Sequence, residues 1–195
     1  MSSRKRVLII AAILLGALII SLAVNLIITL VQKNGHPKKY EEYVEKYSSE
    51  YNIPEYMLYA VINEESSFDP KKESEDGALG LMQITPSVRR LLSSDSHFDK
   101  EIESNEFYDP EASIAYGAYY LRYLFNKYGK WDTALAAYKA GENEVDGWLE
   151  STKYSKDGVS LSKIPDKKVG NYVKAVNKSA AYYKNTYYKN GVSVK

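Results

Sequence analysis

The sequence predicts a mainly α-helical domain carried behind an N-terminal transmembrane helix. Three observations predict it. Val7 to Val31 is a run of 25 residues without a charged side chain, longer than the ~20 apolar residues that cross a bilayer core at ~1.5 Å each. Beyond it, apolar residues recur at three- and four-residue steps, the period of a helix. No stretch alternates strictly for long enough to make a strand.

The elements follow in chain order. Arg4, Lys5 and Arg6 precede the apolar run, and this tight cluster favours a cytoplasmic N-terminus with the rest of the chain outside. Ser21-Leu22-Ala23 has the small-x-small form of a cleavage site. The run continues to Val31, however, past the ~7–15 apolar residues of a signal peptide, so a retained anchor is expected. Tyr40, Tyr43, Tyr47 and Tyr51 form a helical stripe. Pro54 opens a second helix through Met57, Leu58, Ala60, Val61 and Ile62, which ends near Glu64–Ser66 ahead of Asp69-Pro70. Lys71 to Gly80 is polar, with Gly77 and Gly80 at its end, and reads as a loop. Thr85-Pro86 and Asp109-Pro110 are helix starts, an N-cap followed by a first-turn proline. The helix after Pro110 runs to Tyr128 and stops at Gly129. Trp131 to Ala140 is closed by Gly141, and a last helix covers about 168–188. The expected organisation is a tail at 1–6, an anchor at 7–31, a linker at 32–39, one domain at 40–190 and a short tail at 191–195.

Composition excludes several functions. The chain has 26 Lys+Arg and 25 Asp+Glu. Without the three N-terminal basic residues, the part from Gln32 onward is slightly acidic, and it lacks the dense basic footprint that nucleic acid requires. There is no Cys, so disulfides and thiolate metal sites are excluded. His36 and His97 are the two histidines, and neither sits in a motif for zinc or for a Ser-His-Asp triad. No metal and no organic cofactor is expected. The 19 tyrosines fit core packing at helical spacing, with a share left for stacking on sugars.

The chemistry concentrates between Glu64 and Pro86. A carboxylate ends an apolar helix, and a loop with Gly77 and Gly80 follows and delivers Met82 and Gln83. Adjacent glutamates point ~100° apart around a helix, so Glu64 and Glu65 face different surroundings. A glutamate in an apolar pocket is suited to act as a general acid.

The segment Glu65-Ser66, Phe68, Pro70, Ser74, Gly77-Ala78-Leu79-Gly80-Leu81-Met82-Gln83 resembles the soluble lytic transglycosylase domain of the lysozyme-like superfamily. Two further blocks support the resemblance: Ala136-Ala137-Tyr138-Lys139-Ala140-Gly141, and Ile164-Pro165 with Asn171-Tyr172-Val173. It implies a goose-type lysozyme-like helical fold and cleavage of peptidoglycan glycan strands at the outer face of the cell membrane. It also implies Glu65 as catalytic acid/base, with Ser74, Met82, Gln83, Tyr138, Lys139 and Tyr172 along the glycan groove. Lys139 stands where the family pattern has Asn, and Lys168 where it has an acid. The product implied is a 1,6-anhydromuramyl end made without water. Two rival readings stand beside it. One is a hydrolase of the same bond that activates water with Asp69 or Asp76. The other is a weakly active or non-catalytic glycan-binding part of an envelope-spanning secretion or conjugation machine.

Overall fold

The computed structural model describes residues 3–96, 103–189 and 192–193. His97 lies outside the described residues. The chain divides into two compact units, Met1–Pro37 and Lys38–Lys195.

The first unit holds one helix, α1 (Ser3–Asn34), of 32 residues. Its described apolar side chains, Leu8, Ile10 and Ile13 through Leu30 among them, are exposed. Among the described residues, no helix is long and apolar enough to cross a membrane.

The second unit is helical: α2 (Glu41–Glu50), α3 (Glu55–Ser66), α4 (Pro86–Ser93), a 3-10 turn (Ser104–Tyr108), α5 (Pro110–Tyr128), α6 (Trp131–Ala140), α7 (Glu142–Leu149) and α8 (Lys167–Tyr187). A two-residue antiparallel hairpin, β1 (Tyr188–Lys189) with β2 (Val192–Ser193), follows α8.

The start signals act as capping chemistry requires. Thr85 Oγ1 accepts the Val88 amide at 3.3 Å, and Asp109 accepts the Ala112 amide at 2.9 Å. Asp166 accepts the Val169 amide at 2.8 Å and opens α8. Each of these bonds satisfies one of the amides left open in a first helical turn. Gly129 stops α5 in the left-handed region, at φ 69°.

α3 is buried along nearly its whole length, from Met57 to Ile62. It packs chiefly against α8, and α6 lies against both α5 and α8. Tyr59 of α3 stacks on Tyr183 of α8 with ring centroids 5.3 Å apart. Most of the tyrosine surplus goes into contacts of this kind. Tyr47, Tyr59, Tyr116, Tyr120, Tyr128, Tyr183 and Tyr188 are buried.

Candidate active site

Glu65 sits in the last turn of α3 and is 6% exposed, whereas Glu64 beside it is exposed. The helix ends abruptly. Ser67 and Phe68 are both left-handed, at φ 53° and 63°, which turns the chain back so that Phe68 enters the core. Ser66 Oγ donates to the Ile62 carbonyl at 3.1 Å, and Lys72 Nζ donates to the Glu65 carbonyl. The carbonyls of the last helical turn thus find partners although this helix end is buried.

The loop after α3 is rigid for reasons visible in its backbone. Leu79 and Ile84 exchange amide hydrogen bonds at 3.2 and 3.0 Å. Gly80 has φ 73°, and a Cβ there would lie 1.8 Å from the Phe107 carbonyl oxygen. Only glycine lets the two backbones approach so closely. Gln83, itself left-handed at φ 50°, donates through Nε2 to the carbonyls of Lys72 and Gly80 at 3.1 and 3.0 Å. Arg89 Nη1 reaches the carbonyls of Gly77 and Ile84 at 3.0 and 2.9 Å. Met82 is fully buried beneath α5, where Gly117 leaves room for its side chain.

Three side chains from α6 and α8 surround the Glu65 carboxylate. Tyr138 donates its hydroxyl to the Met82 carbonyl at 2.7 Å and so ties α6 to the loop. Lys139 Nζ lies 3.4 Å from Glu65 Oε2 and 4.9 Å from the centre of the Tyr172 ring. The Tyr172 hydroxyl is buried and faces the Glu65 carboxylate. Burial, and then the negative charge of Glu65, push both phenols well above the ordinary tyrosine range, so both hydroxyls keep their protons at neutral pH. Tyr138 and Lys139 also form one wall of an open cleft of about 490 Å³, with Thr85, Val88, Tyr120 and Glu142. Glu142 is held there by Lys127 at 2.9 Å and by the Tyr123 hydroxyl at 3.0 Å. The arrangement is one buried carboxylate with two protonated phenols and an ammonium beside it, of which Tyr138 and Lys139 also line the cleft.

Residues 42–160 match the family described as the Transglycosylase SLT domain. The chain belongs to that family. It is 32% identical over 150 residues to the soluble lytic murein transglycosylase of Escherichia coli K12, covering 76% of this chain and 23% of that protein. It is 32% identical over 135 residues to the membrane-bound lytic murein transglycosylase C of Pectobacterium atrosepticum, covering 64% of this chain and 37% of that one. The crystal structure of the 70 kDa soluble lytic transglycosylase of Escherichia coli superposes with a TM-score of 0.67 at 29% identity, over 77% of this chain and 25% of that one. The chain therefore spans about a quarter to under two fifths of the length of these relatives.

Within this transglycosylase domain, the structure brings Glu65, Tyr138, Lys139 and Tyr172 together. Ser74, Met82 and Gln83, expected along the groove, have parts within the loop itself. Ser74 accepts the Ala78 amide at 3.0 Å and closes the tip of the loop. The Met82 side chain is 0% exposed and therefore unable to touch a glycan. The Gln83 amide is spent on two loop carbonyls. Lys168 is exposed in the first turn of α8. Asp69 and Asp76 are exposed, and Asp69 accepts the Lys71 amide at 2.9 Å. Among the described residues, no group of three His, Cys, Asp or Glu side chains could hold a metal ion. Sequence reasoning missed Lys72, Arg89, Gly117 and Tyr120, since their parts depend on contacts across the fold. Gly117 alone carried a signal, a glycine in the middle of a helix that needs a packing reason.

Proposed function

We propose that this chain is a peptidoglycan lytic transglycosylase that cleaves the β-1,4 bond between N-acetylmuramic acid and N-acetylglucosamine, with Glu65 as sole acid and base. The observation that carries the reading is Glu65 itself, 6% exposed at the end of α3 and surrounded by protonated phenols. Family membership and the named activity of the relatives support it.

In this reading, protonated Glu65 donates its proton to the glycosidic oxygen as the bond to muramyl C1 breaks, and the N-acetylglucosamine side leaves as an alcohol. The muramyl N-acetyl oxygen supports C1 from within the substrate. Glu65, now a carboxylate, takes the proton of the muramyl C6 hydroxyl while that oxygen bonds to C1 and closes the 1,6-anhydro ring. The proton lost in the first step is regained in the second, and no water is consumed. Glycosidases that use two carboxylates place the second one across the bond. Asp69 and Asp76 are exposed, and Asp69 accepts a loop amide.

The test is muropeptide mass spectrometry after digestion. Wild type should leave anhydromuramyl ends, and Glu65→Gln should lose activity by ~10²–10⁴-fold or more while staying folded. Reducing ends would establish the hydrolase reading instead.

We further propose that α1 anchors the protein in the cell membrane, with the tail at 1–6 inside and the domain outside. The 25 uncharged residues from Val7 to Val31 within a 32-residue helix support this, since a helix of that length extends ~48 Å against a hydrocarbon core of ~30 Å. The protein should stay with membranes through a high-salt wash, which removes surface-bound proteins but not spanning ones. A shortened soluble form starting near Val24 would mean that the segment is cleaved.

A further inference from the structure

Glu65 has a cation against it, and its placement bears on when the glutamate is able to give up a proton. Lys139 Nζ approaches Glu65 Oε2 at 3.4 Å and lies over the face of Tyr172 at 4.9 Å from the ring centre. Both contacts hold the ammonium in one place, since an aromatic face attracts a cation within ~6 Å. The lysine side chain is 45% exposed and the glutamate side chain 5%. The glutamate is thus fixed by the fold, while the lysine reaches in from the cleft wall and has open space to withdraw into.

The other groups facing Glu65 bring no second ammonium to its carboxylate, and the hydrogen-bond donor among them is the Tyr172 phenol. From α6, Tyr138 points its hydroxyl at the Met82 carbonyl. From α8, Tyr172 is a phenol that burial keeps protonated. From the loop, Lys72 is directed at the Glu65 backbone carbonyl. On α3 itself, Glu64 is exposed on another side of the helix. Burial favours the neutral acid, and an adjacent ammonium favours the carboxylate.

Resting on the lytic transglycosylase reading, we infer that Lys139 is a latch on the catalytic acid. In the resting enzyme its ammonium pairs with the Glu65 carboxylate at 3.4 Å. Proton donation then requires the ammonium to swing off the carboxylate into the cleft as a glycan strand enters. Lys139 is accordingly a positioning residue that acts through Glu65. It sets the pH above which cleavage falls away, and it restrains the unliganded enzyme at neutral pH.

The experiment uses the full chain and three variants, Lys139→Met, Lys139→Asn and Lys139→Arg. Lys139 is exposed at the end of α6, so these substitutions leave the core untouched. Two readouts are taken. The first is the titration of the Glu65 side-chain carboxyl, followed by carbon NMR in the absence of substrate. The second is the pH dependence of kcat/KM on purified glycan strands. With the latch removed, Lys139→Met and Lys139→Asn should shift the Glu65 titration to higher pH, extend the active range upward, and raise kcat/KM near neutral pH by about three- to tenfold, since each pH unit changes the protonated fraction tenfold. Lys139→Arg keeps the charge and should retain the wild-type profile. A Glu65 titration that is the same in all four proteins overturns the inference, whatever the activity. A rate that falls at every pH in Lys139→Met and Lys139→Asn also overturns it, because the lysine then serves substrate binding. If the titration moves as expected but neither wild type nor Lys139→Met cleaves glycan, the ion pair stands and the enzymatic reading fails.

Discussion

Two loops of similar length interrupt the helical domain, residues 67–85 after α3 and residues 150–166 after α7, and they hold their shape by different means. The first has five residues with positive φ, Ser67, Phe68, Gly77, Gly80 and Gln83. It sends Phe68, Leu79, Leu81, Met82 and Ile84 into the core, each at most 5% exposed. The second has one positive φ, at Gly158, and carries Val159 at its tip, 54% exposed. Its tip is gathered by Asp157, which accepts the amides of Val159 and Ser160 at 3.0 and 2.8 Å and the Ser160 hydroxyl at 2.7 Å, and by Ser155, which accepts the Gly158 amide and donates to the Ser160 carbonyl. The first loop, which directly follows the helix turn carrying Glu65, is fixed by packing and sterics. The second is gathered by short polar side chains, Ser155, Asp157 and Thr133.

The largest effect that separates the two is expected from matched glycine substitutions. Gly80→Ala places a methyl 1.8 Å from the Phe107 carbonyl oxygen and 2.8 Å from Ser113 Oγ, at a φ that alanine disfavours. Backbone on the far side of that contact has no rotamer to change. The domain should lose about 3 kcal/mol or more of stability in a denaturant titration, and cleavage with it. Gly158→Ala meets nothing within 4 Å, so only its left-handed backbone resists. The expected loss is about 1 kcal/mol, confined to the second loop, with cleavage unchanged. Equal losses at the two glycines would refute the distinction drawn between the loops.

Next in size is Gln83→Ala. It strips the Lys72 and Gly80 carbonyls of their side-chain donor, while each keeps a backbone amide, and a lost hydrogen bond of this kind costs about 0.5–1.5 kcal/mol. Because Gln83 has no described contact with Glu65, stability and kcat should fall together through disorder of the loop, with KM following. A variant with full stability and a raised KM would return Gln83 to the groove wall.

These contrasts also mark what was legible in the sequence. Helices were readable wherever a start signal met an apolar period. α4, α5 and α8 begin at or within a residue of the places that Thr85-Pro86, Asp109-Pro110 and Lys168 indicated. α7 was missed because Gly141 reads as a stop, and the chain resumes a helix at Glu142 directly after it. The hairpin at Tyr188–Ser193 was missed because two-residue strands have no alternation to read. In the site, Glu65 and its neighbours Tyr138 and Tyr172 were legible as blocks of a family pattern. The parts of Met82 and Gln83 were not. A buried methionine and a self-bonded glutamine look the same in sequence as a pair that lines a groove, and only the positive φ at Gln83 and the space left by Gly117 decide between them.

The smallest expected effect is a pH dependence confined to the second loop. The Ser160 hydroxyl and amide, together with the Val159 amide, hold the Asp157 carboxyl well below the usual carboxylate range. A carboxyl depressed in the folded state stabilises that state above its unfolded value of about 3.9, and the contribution fades as pH falls through the lower folded value. The amide chemical shifts of Val159 and Ser160 should therefore stay constant from neutral pH down to about 4 and change only in stronger acid. Asp157→Asn keeps a carbonyl acceptor without the charge, so the loop should be weaker at neutral pH and should no longer respond to acid. In the first loop Asp69 accepts the Lys71 amide at its start, whereas the amides of Leu79 and Ile84, bonded to each other's carbonyls, should show no matching transition. A shared transition in both loops would mean that acid loosens the domain as a whole, and the pH response would then report global stability rather than the Asp157 turn.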